Sequence, residues 1–286
     1  MKIGLCSLLL LFAAVPPPEQ RAVEFRGSEA SARLLQHYEF KADNLPAPGA
    51  TSSAENSPLV NERPADAVLH LPPGFVINEF ASDLRAPRWM AQAPNGDIFV
   101  AESRAGRITI LRPTEDGNHA GERFVFAEGL KLPFGMAFHG DHLYVGQTGA
   151  VVRFHYRAGE ARAEGKPEPL ISLPGEGYRE HWTRNVLFSP DGAKLYVTVG
   201  SSGNDTPEND PRRAAINEYN ADGRGHFIFA SGLRNPVGLA FRPGSNELWA
   251  AVNERDGLGD DLPPDYVTAV RAGGFYGWLC VHWPAS

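Results

Sequence analysis

The chain has 286 residues, 42% of them hydrophobic, with 30 Gly, 24 Pro and a formal net charge of -7. That length and apolar content allow one large β domain with a sizeable core and exclude disorder throughout, while the Gly and Pro counts suit a turn-dense architecture. A modest acidic excess excludes nucleic acid or an anionic membrane as a general partner, because either needs a basic face.

The chain opens with MKIGLCSLLLLFAAV, which carries one Lys and an apolar run ending in small residues. It reads as a secretory signal over residues 1–15 and is too short to span a bilayer, so a periplasmic or secreted location is expected. A buried strand or hydrophobic anchor is the alternative. Removal of the signal takes Cys6 with it and leaves Cys280 alone, so no disulfide framework is expected. Residues 16–66 are rich in Pro, Ala, Ser and Glu and read as a linker or disordered segment, with one short helix around Glu29 to Phe40. The folded domain is expected over residues 67–286, beginning with a strand in LPPGFVINEFASDL (Leu71 to Leu84).

From there a repeat can be counted. APRWMAQAPNGDIFVAES, LPFGMAFHGDHLYVGQ, TRNVLFSPDGAKLYVTVG and NPVGLAFRPGSNELWAAVN each combine a Pro or Arg start, a short apolar run, a Gly/Asn/Asp turn and an outgoing strand. Their matched aromatics are Phe99, Tyr144, Tyr196 and Trp249, at spacings of about 45 to 53 residues, the period of four-stranded propeller blades. The turns PNGD, HGDH, SPDG and PGSN supply the positive φ and side-chain-to-backbone bonding that tight hairpins need. An all-β propeller is therefore expected.

Three stretches beside these strands carry candidate chemistry. His181 lies in a polar loop just before a strand, where an imidazole can act as a general base; a hydrogen-bonded loop histidine is the plainer reading on spacing alone. Arg234 and Asn235 could hold a carboxylate-bearing ligand, since an Arg fork pairs with planar anions, or Arg234 could only bridge blades. Between Asn253 and Tyr266, Glu254, Asp256, Asp260, Asp261 and Asp265 with two glycines offer hard oxygen donors suited to Ca²⁺, without EF-hand spacing. No H-E-x-x-H, C-x-x-C or G-x-S-x-G pattern occurs, which sets aside a zinc site and a serine hydrolase. The stretch Gly200 to Gly225 reads as a lid or as a mobile polar insertion.

Taken together, HWTRN followed by SPDGAKLYVTVG, then GLRNPVGLAF, NERDGLGDD and GGFYGW, resemble the soluble quinoprotein sugar dehydrogenases that use pyrroloquinoline quinone (PQQ), and more closely their sorbosone dehydrogenase-like branch. The resemblance runs from about Leu69 to Trp278. It implies a six-bladed β-propeller, incomplete here with about four to five blades present, that binds PQQ and Ca²⁺ and oxidises an aldose or sugar aldehyde. By that resemblance His181 is the base, Arg234 and Asn235 contact the quinone, and the backbone carbonyls of Asp256 and Gly257 ligate the calcium. The partner implied is a small sugar, with a dye, quinone or cytochrome as electron acceptor. Where family members place a carboxylate to orient the histidine, this chain has Ser201, and the sequence after GGFYGW departs from the family pattern. A truncated or frame-shifted product is therefore expected, with open strand edges. Two other readings stay open: a Ca²⁺-dependent propeller lactonase recruiting Glu102, Asn185 and Asn235, and a non-catalytic propeller that binds a sugar or a protein.

Overall fold

The computed structural model describes residues 46–53, 61–62, 64, 67–175, 181–260 and 262–279. The signal and the short helix expected from sequence lie outside the described residues. The chain divides into two units, Met1–Glu39 with Ser57–Ile77 and Phe40–Asn56 with Asn78–Ser286.

In the first unit, the segment ending at Ile77 makes a turn at Pro73 and Gly74, closed by the Phe75 N–H donating to the Pro72 carbonyl at 3.2 Å. It forms no strand, and neither do residues 78–86, so the strand expected over Leu71 to Leu84 is absent. The alternation is present in the sequence, but a strand needs a repeated ladder, and among the described residues the stretch makes a single backbone bond to β4, from the Ala120 N–H to the Phe80 carbonyl at 2.9 Å. Phe75 and Val76 remain exposed.

The second unit is all-β and forms four sheets in chain order. The first joins β1 (Pro87–Gln92), β2 (Ile98–Glu102), β3 (Arg107–Pro113) and β4 (Ala120–Ala127). The second joins β5 (Met136–His139), β6 (His142–Gln147), β7 (Ala150–His155) and β8 (Glu168–Ser172). The third joins β9 (Val186–Phe188), β10 (Lys194–Val199), β11 (Ala215–Asn220) and β12 (Phe227–Ser231), and the fourth joins β13 (Asn235–Phe241), β14 (Leu248–Asn253) and β15 (Tyr266–Val270). The short β16 (Gly274–Phe275) then returns to lie parallel to β12 at the edge of the third sheet. This is the blade arrangement of an incomplete sugar-dehydrogenase-type propeller. Within the stretch read as a lid, Ala215–Asn220 form β11, which buries Tyr219 and Ile216 in two successive core clusters.

The counted repeat has a packing cause. On the second strand of each blade, Phe99, Tyr144 and Tyr196 meet a phenylalanine on the first strand of the next: Phe138 at 5.0 Å, Phe188 at 4.8 Å and Phe241 at 5.8 Å between ring centroids. All three contacts are edge-on, the geometry that aromatic quadrupoles favour. They sit in three successive clusters, one at each blade junction. Trp249 occupies the same position in the fourth blade and is 36% exposed, with its indole N–H donating to Glu247 at 3.0 Å.

Candidate active site

The first strands of successive blades, β1, β5, β9 and β13, lie beside one another. Each is approached from the same end, so Arg88, Phe134, the run His181 to Asn185, and Asn235 share one end of the ring. That end is where a propeller gathers functional side chains from different blades.

His181 is half-buried, and its Nδ1 lies 3.0 Å from the Ser201 carbonyl and 2.9 Å from Ser201 Oγ. The Ser201 hydroxyl donates its proton to the Gly203 carbonyl at 2.6 Å, so both oxygens facing the imidazole accept. Nδ1 therefore carries the ring proton and Nε2 the lone pair, the tautomer a base requires. Ser201 is itself fixed, because its N–H donates to the Arg234 carbonyl at 2.7 Å. The backbone under the histidine is held by Arg184, fully buried, which donates to the carbonyls of His181 at 2.7 Å, Thr183 at 2.8 Å and Pro174 at 2.9 Å.

Gly200, directly after β10, brings His181 and Asn235 together. A Cβ at Gly200 would stand 2.5 Å from Asn235 Oδ1 and 2.6 Å from the His181 Cβ, so no larger residue fits between them. Asn235 Oδ1 is buried there and accepts no hydrogen bond from the protein. An orphaned acceptor beside a base is an unusual expense in a folded protein, and a ligand N–H or O–H, or a bound cation, would relieve it.

Arg234 is 4% exposed and fully engaged with the chain. Its Nε donates to the Asn204 carbonyl at 3.1 Å, its guanidinium to Asn204 Oδ1 at 2.8 Å and to the Glu254 carbonyl, and it lies 3.3 Å from the Asp256 carboxylate. Asn204 completes a clasp: Oδ1 accepts the Asp256 N–H at 2.8 Å and Nδ2 donates to the Asp256 carbonyl at 2.9 Å. Arg234 thus bridges the loop after β10 to the acidic loop after β14. The Asp256 carboxylate is turned to solvent, and Gly257, at φ +91°, carries the loop into a bend that glycine adopts without strain. Asp265 is occupied by Asn253 Nδ2 at 2.7 Å and the Glu254 N–H at 2.9 Å. Burial pushes the Glu254 carboxyl above the ordinary carboxylate range, with Arg234 opposing it. Among the described residues no three His, Cys, Asp or Glu side chains converge as a metal centre, so a cation here would rely on backbone carbonyls.

The residues set aside for a lactonase are otherwise employed. Glu102, fully buried, accepts from Arg107 at 2.7 and 3.0 Å, from Thr109 and from the Arg85 N–H. The Asn185 amide donates to the Val237 carbonyl at 3.0 Å and accepts the Val186 N–H at 2.9 Å. Three other described histidines have structural contacts: His139 stacks on Phe188 at 4.2 Å, and His142 and His155 share the Asp141 carboxylate at 2.6 and 3.4 Å. Sequence reasoning placed His181 and Asn235 but missed the clasp by Asn204 and the spacer role of Gly200. The glycine closing VTVG was the available signal.

A family model described as TrAA12-like matches residues 69–264. Quinoprotein glucose dehydrogenase B of Acinetobacter calcoaceticus is 24% identical over 253 residues, covering 69% of this chain and 51% of the relative. Among solved structures, the calcium structure of a Trichoderma reesei enzyme of carbohydrate-active family AA12 superposes with a TM-score of 0.62 at 20% identity, over 70% of this chain and 57% of that one. The PQQ-bound aldose sugar dehydrogenase of Streptomyces coelicolor gives 0.56 at 22% identity, over 71% and 65%. The chain spans about half the length of the curated relatives it matches.

Proposed function

This chain belongs to the TrAA12-like family, and from that premise we propose that it is a PQQ-dependent sugar oxidoreductase with His181 as the base. The observation that carries the reading is the pairing of an oriented His181, Nδ1–H fixed on Ser201, with the orphaned buried Oδ1 of Asn235 across Gly200. In this reading Nε2 accepts the proton of the sugar hydroxyl as the neighbouring C–H is oxidised. The imidazolium so formed shares its Nδ1 proton with the Ser201 carbonyl and hydroxyl, a neutral counterpart of a carboxylate orienter. PQQ, when bound, supplies the two-electron acceptor, and calcium polarises it.

The residues present fit such a group at Asn235, whose acceptor is buried and unmatched, and at the carbonyls of Asp256 and Gly257 in the acidic loop. Arg234 serves it through the loop it clasps, because its donors are already turned onto Asn204, Glu254 and Asp256. A propeller lactonase is disfavoured by the commitment of Glu102 to Arg107 and of Asn185 to the Val237 carbonyl of the next blade. Among the described residues no helix is long and apolar enough to cross a membrane, and we assign the protein to the periplasm or the exterior.

The test is titration of the chain with PQQ and Ca²⁺, following cofactor absorbance and dye reduction with mixed aldoses. Saturable binding with His181→Ala turnover about 10²- to 10⁴-fold lower and binding retained is the expected result. A folded chain that binds no PQQ excludes the reading.

A further inference from the structure

We propose that Trp182, Phe134 and Arg88 form the wall of a sugar subsite beside the base, and that the indole of Trp182 sets which pyranose is accepted. The proposal rests on the sugar oxidoreductase reading and adds to it the surface that holds the ring. Trp182 follows His181 directly in the chain. Its carbonyl is pinned by Thr148 Oγ1 at 3.1 Å, so backbone and base move together. The ring is held edge-on against Phe134, with centroids 5.8 Å apart and planes at 89°, and Phe134 is backed by Trp89 at 5.3 Å. Phe134 is buried while Trp89 and Trp182 keep exposed area, which makes a braced aromatic surface open on one side.

Arg88, exposed at the start of β1, stands with its guanidinium carbon 5.5 Å from the Trp182 ring centre and 5.9 Å from that of Phe134. Cation–π attraction is worth about 0.5–1 kcal/mol at an exposed site, enough to position the arginine without immobilising it. Among the described residues the Arg88 guanidinium has no carboxylate partner, so its N–H donors are left for a ligand. Thr183 Oγ1, in the next position along the chain, is buried with no hydrogen-bond partner, a second unmatched polar atom at this end of the ring besides Asn235 Oδ1.

These features recognise a cyclic polyol. A pyranose has an apolar C–H face that packs on an indole and an edge of hydroxyls that accept from a guanidinium. The indole directly follows His181 in the chain, and the guanidinium stands over that indole. Arg88 comes from the first blade, Phe134 from the second, Trp182 with His181 from the approach to the third, and the orphaned acceptor of Asn235 from the fourth, so in this proposal a ring lying among them presents one carbon to His181.

The experiment compares the full chain with Trp182→Ala, Trp182→Phe and Arg88→Ala. Binding of D-glucose, D-galactose and D-xylose is read without cofactor by saturation-transfer NMR, and KM and kcat are read after loading with PQQ and Ca²⁺. The expected result is a KM raised about tenfold in Trp182→Ala with kcat changed less than about threefold, rescue by Trp182→Phe, and a smaller rise in Arg88→Ala. Saturation transfer to the sugar is expected to weaken in the same order. Unchanged sugar binding and KM in Trp182→Ala, with the wild type active, overturns the subsite and leaves the oxidoreductase reading standing. A wild type that loads PQQ yet neither binds nor oxidises any of the three sugars overturns both. If Trp182→Ala does not fold, Arg88→Ala and Trp182→Phe decide: an unchanged KM and an unchanged sugar preference in both sinks the proposal.

Discussion

In its proposed role His181 owes its orientation to a serine. With two acceptors on Nδ1, His181 is locked in one tautomer at no cost in net charge. Ser201→Ala removes one of them and leaves the backbone carbonyl, so kcat is expected to fall by roughly fivefold, as for loss of a neutral hydrogen bond of about 1 kcal/mol, with PQQ affinity unchanged. Steady-state kinetics beside a cofactor titration separate the two effects. Gly200→Ala is more severe, because its Cβ collides with both Asn235 Oδ1 and the His181 Cβ; cofactor binding and turnover are expected to fall together. Away from the site, Glu102 shows what a committed carboxylate does to the pH response. Burial raises its pKa, but hydrogen bonds from Arg107, Thr109 and the Arg85 N–H outweigh that and hold it below the ordinary range. The unfolded chain then takes up the proton more readily, so Glu102 contributes stability above the ordinary glutamate pKa of about 4.3 and loses it as pH falls through the depressed value. Glu102→Gln is expected to lower stability at pH 7 by about 1–3 kcal/mol and to flatten the acid limb of the unfolding curve, measured by urea titration from pH 7 to pH 3.

Among the elements, the unit of construction is the junction between blades rather than the blade. Phe99, Tyr144 and Tyr196 each reach across to the next first strand, so each sheet is completed by its successor. Phe99, wholly buried and touching Phe126, Phe138 and Tyr156, is expected to cost about 3–5 kcal/mol on truncation to alanine. Trp249, its counterpart in the fourth blade, is expected to cost under about 1 kcal/mol, since its ring is partly in water. Equal losses in chemical denaturation would show that the repeat carries energy by itself rather than through its neighbour. The same dependence explains why Leu71 to Leu84 does not become a strand. Alternation alone builds no ladder: beside β4, among the described residues, the stretch makes one backbone hydrogen bond, from the Ala120 N–H to the Phe80 carbonyl at 2.9 Å.

For the molecule as a whole, the clasp of Arg234 and Asn204 joins the third and fourth blades at the end of the ring where His181 sits. If calcium settles on the acidic loop shaped by that clasp, binding and folding are linked. Calcium at one hundred times its Kd is then expected to stabilise the protein by about 2.7 kcal/mol, seen as a raised Tm that EDTA reverses and that Asn204→Ala reduces. A Tm indifferent to calcium in the wild type would falsify the loop as a cation site.

The all-β architecture and the blade period are legible in the residue order alone. Strand alternation, turn residues and the recurring aromatics are local patterns, and a local pattern survives in one dimension. The residue order also marked Arg234, Asn235 and the acidic loop as neighbours in a functional scheme. Only the tertiary structure decided how they are used. It turned Arg234 onto the chain's own carbonyls, left Asn235 Oδ1 without a donor, set Gly200 as the spacer, and drew Trp182, Phe134 and Arg88 into one wall. Those outcomes depend on which blades stand side by side, with partners from about 20 to about 90 residues apart in the chain, and hydrogen-bond satisfaction across such separations leaves little signature in the order of residues.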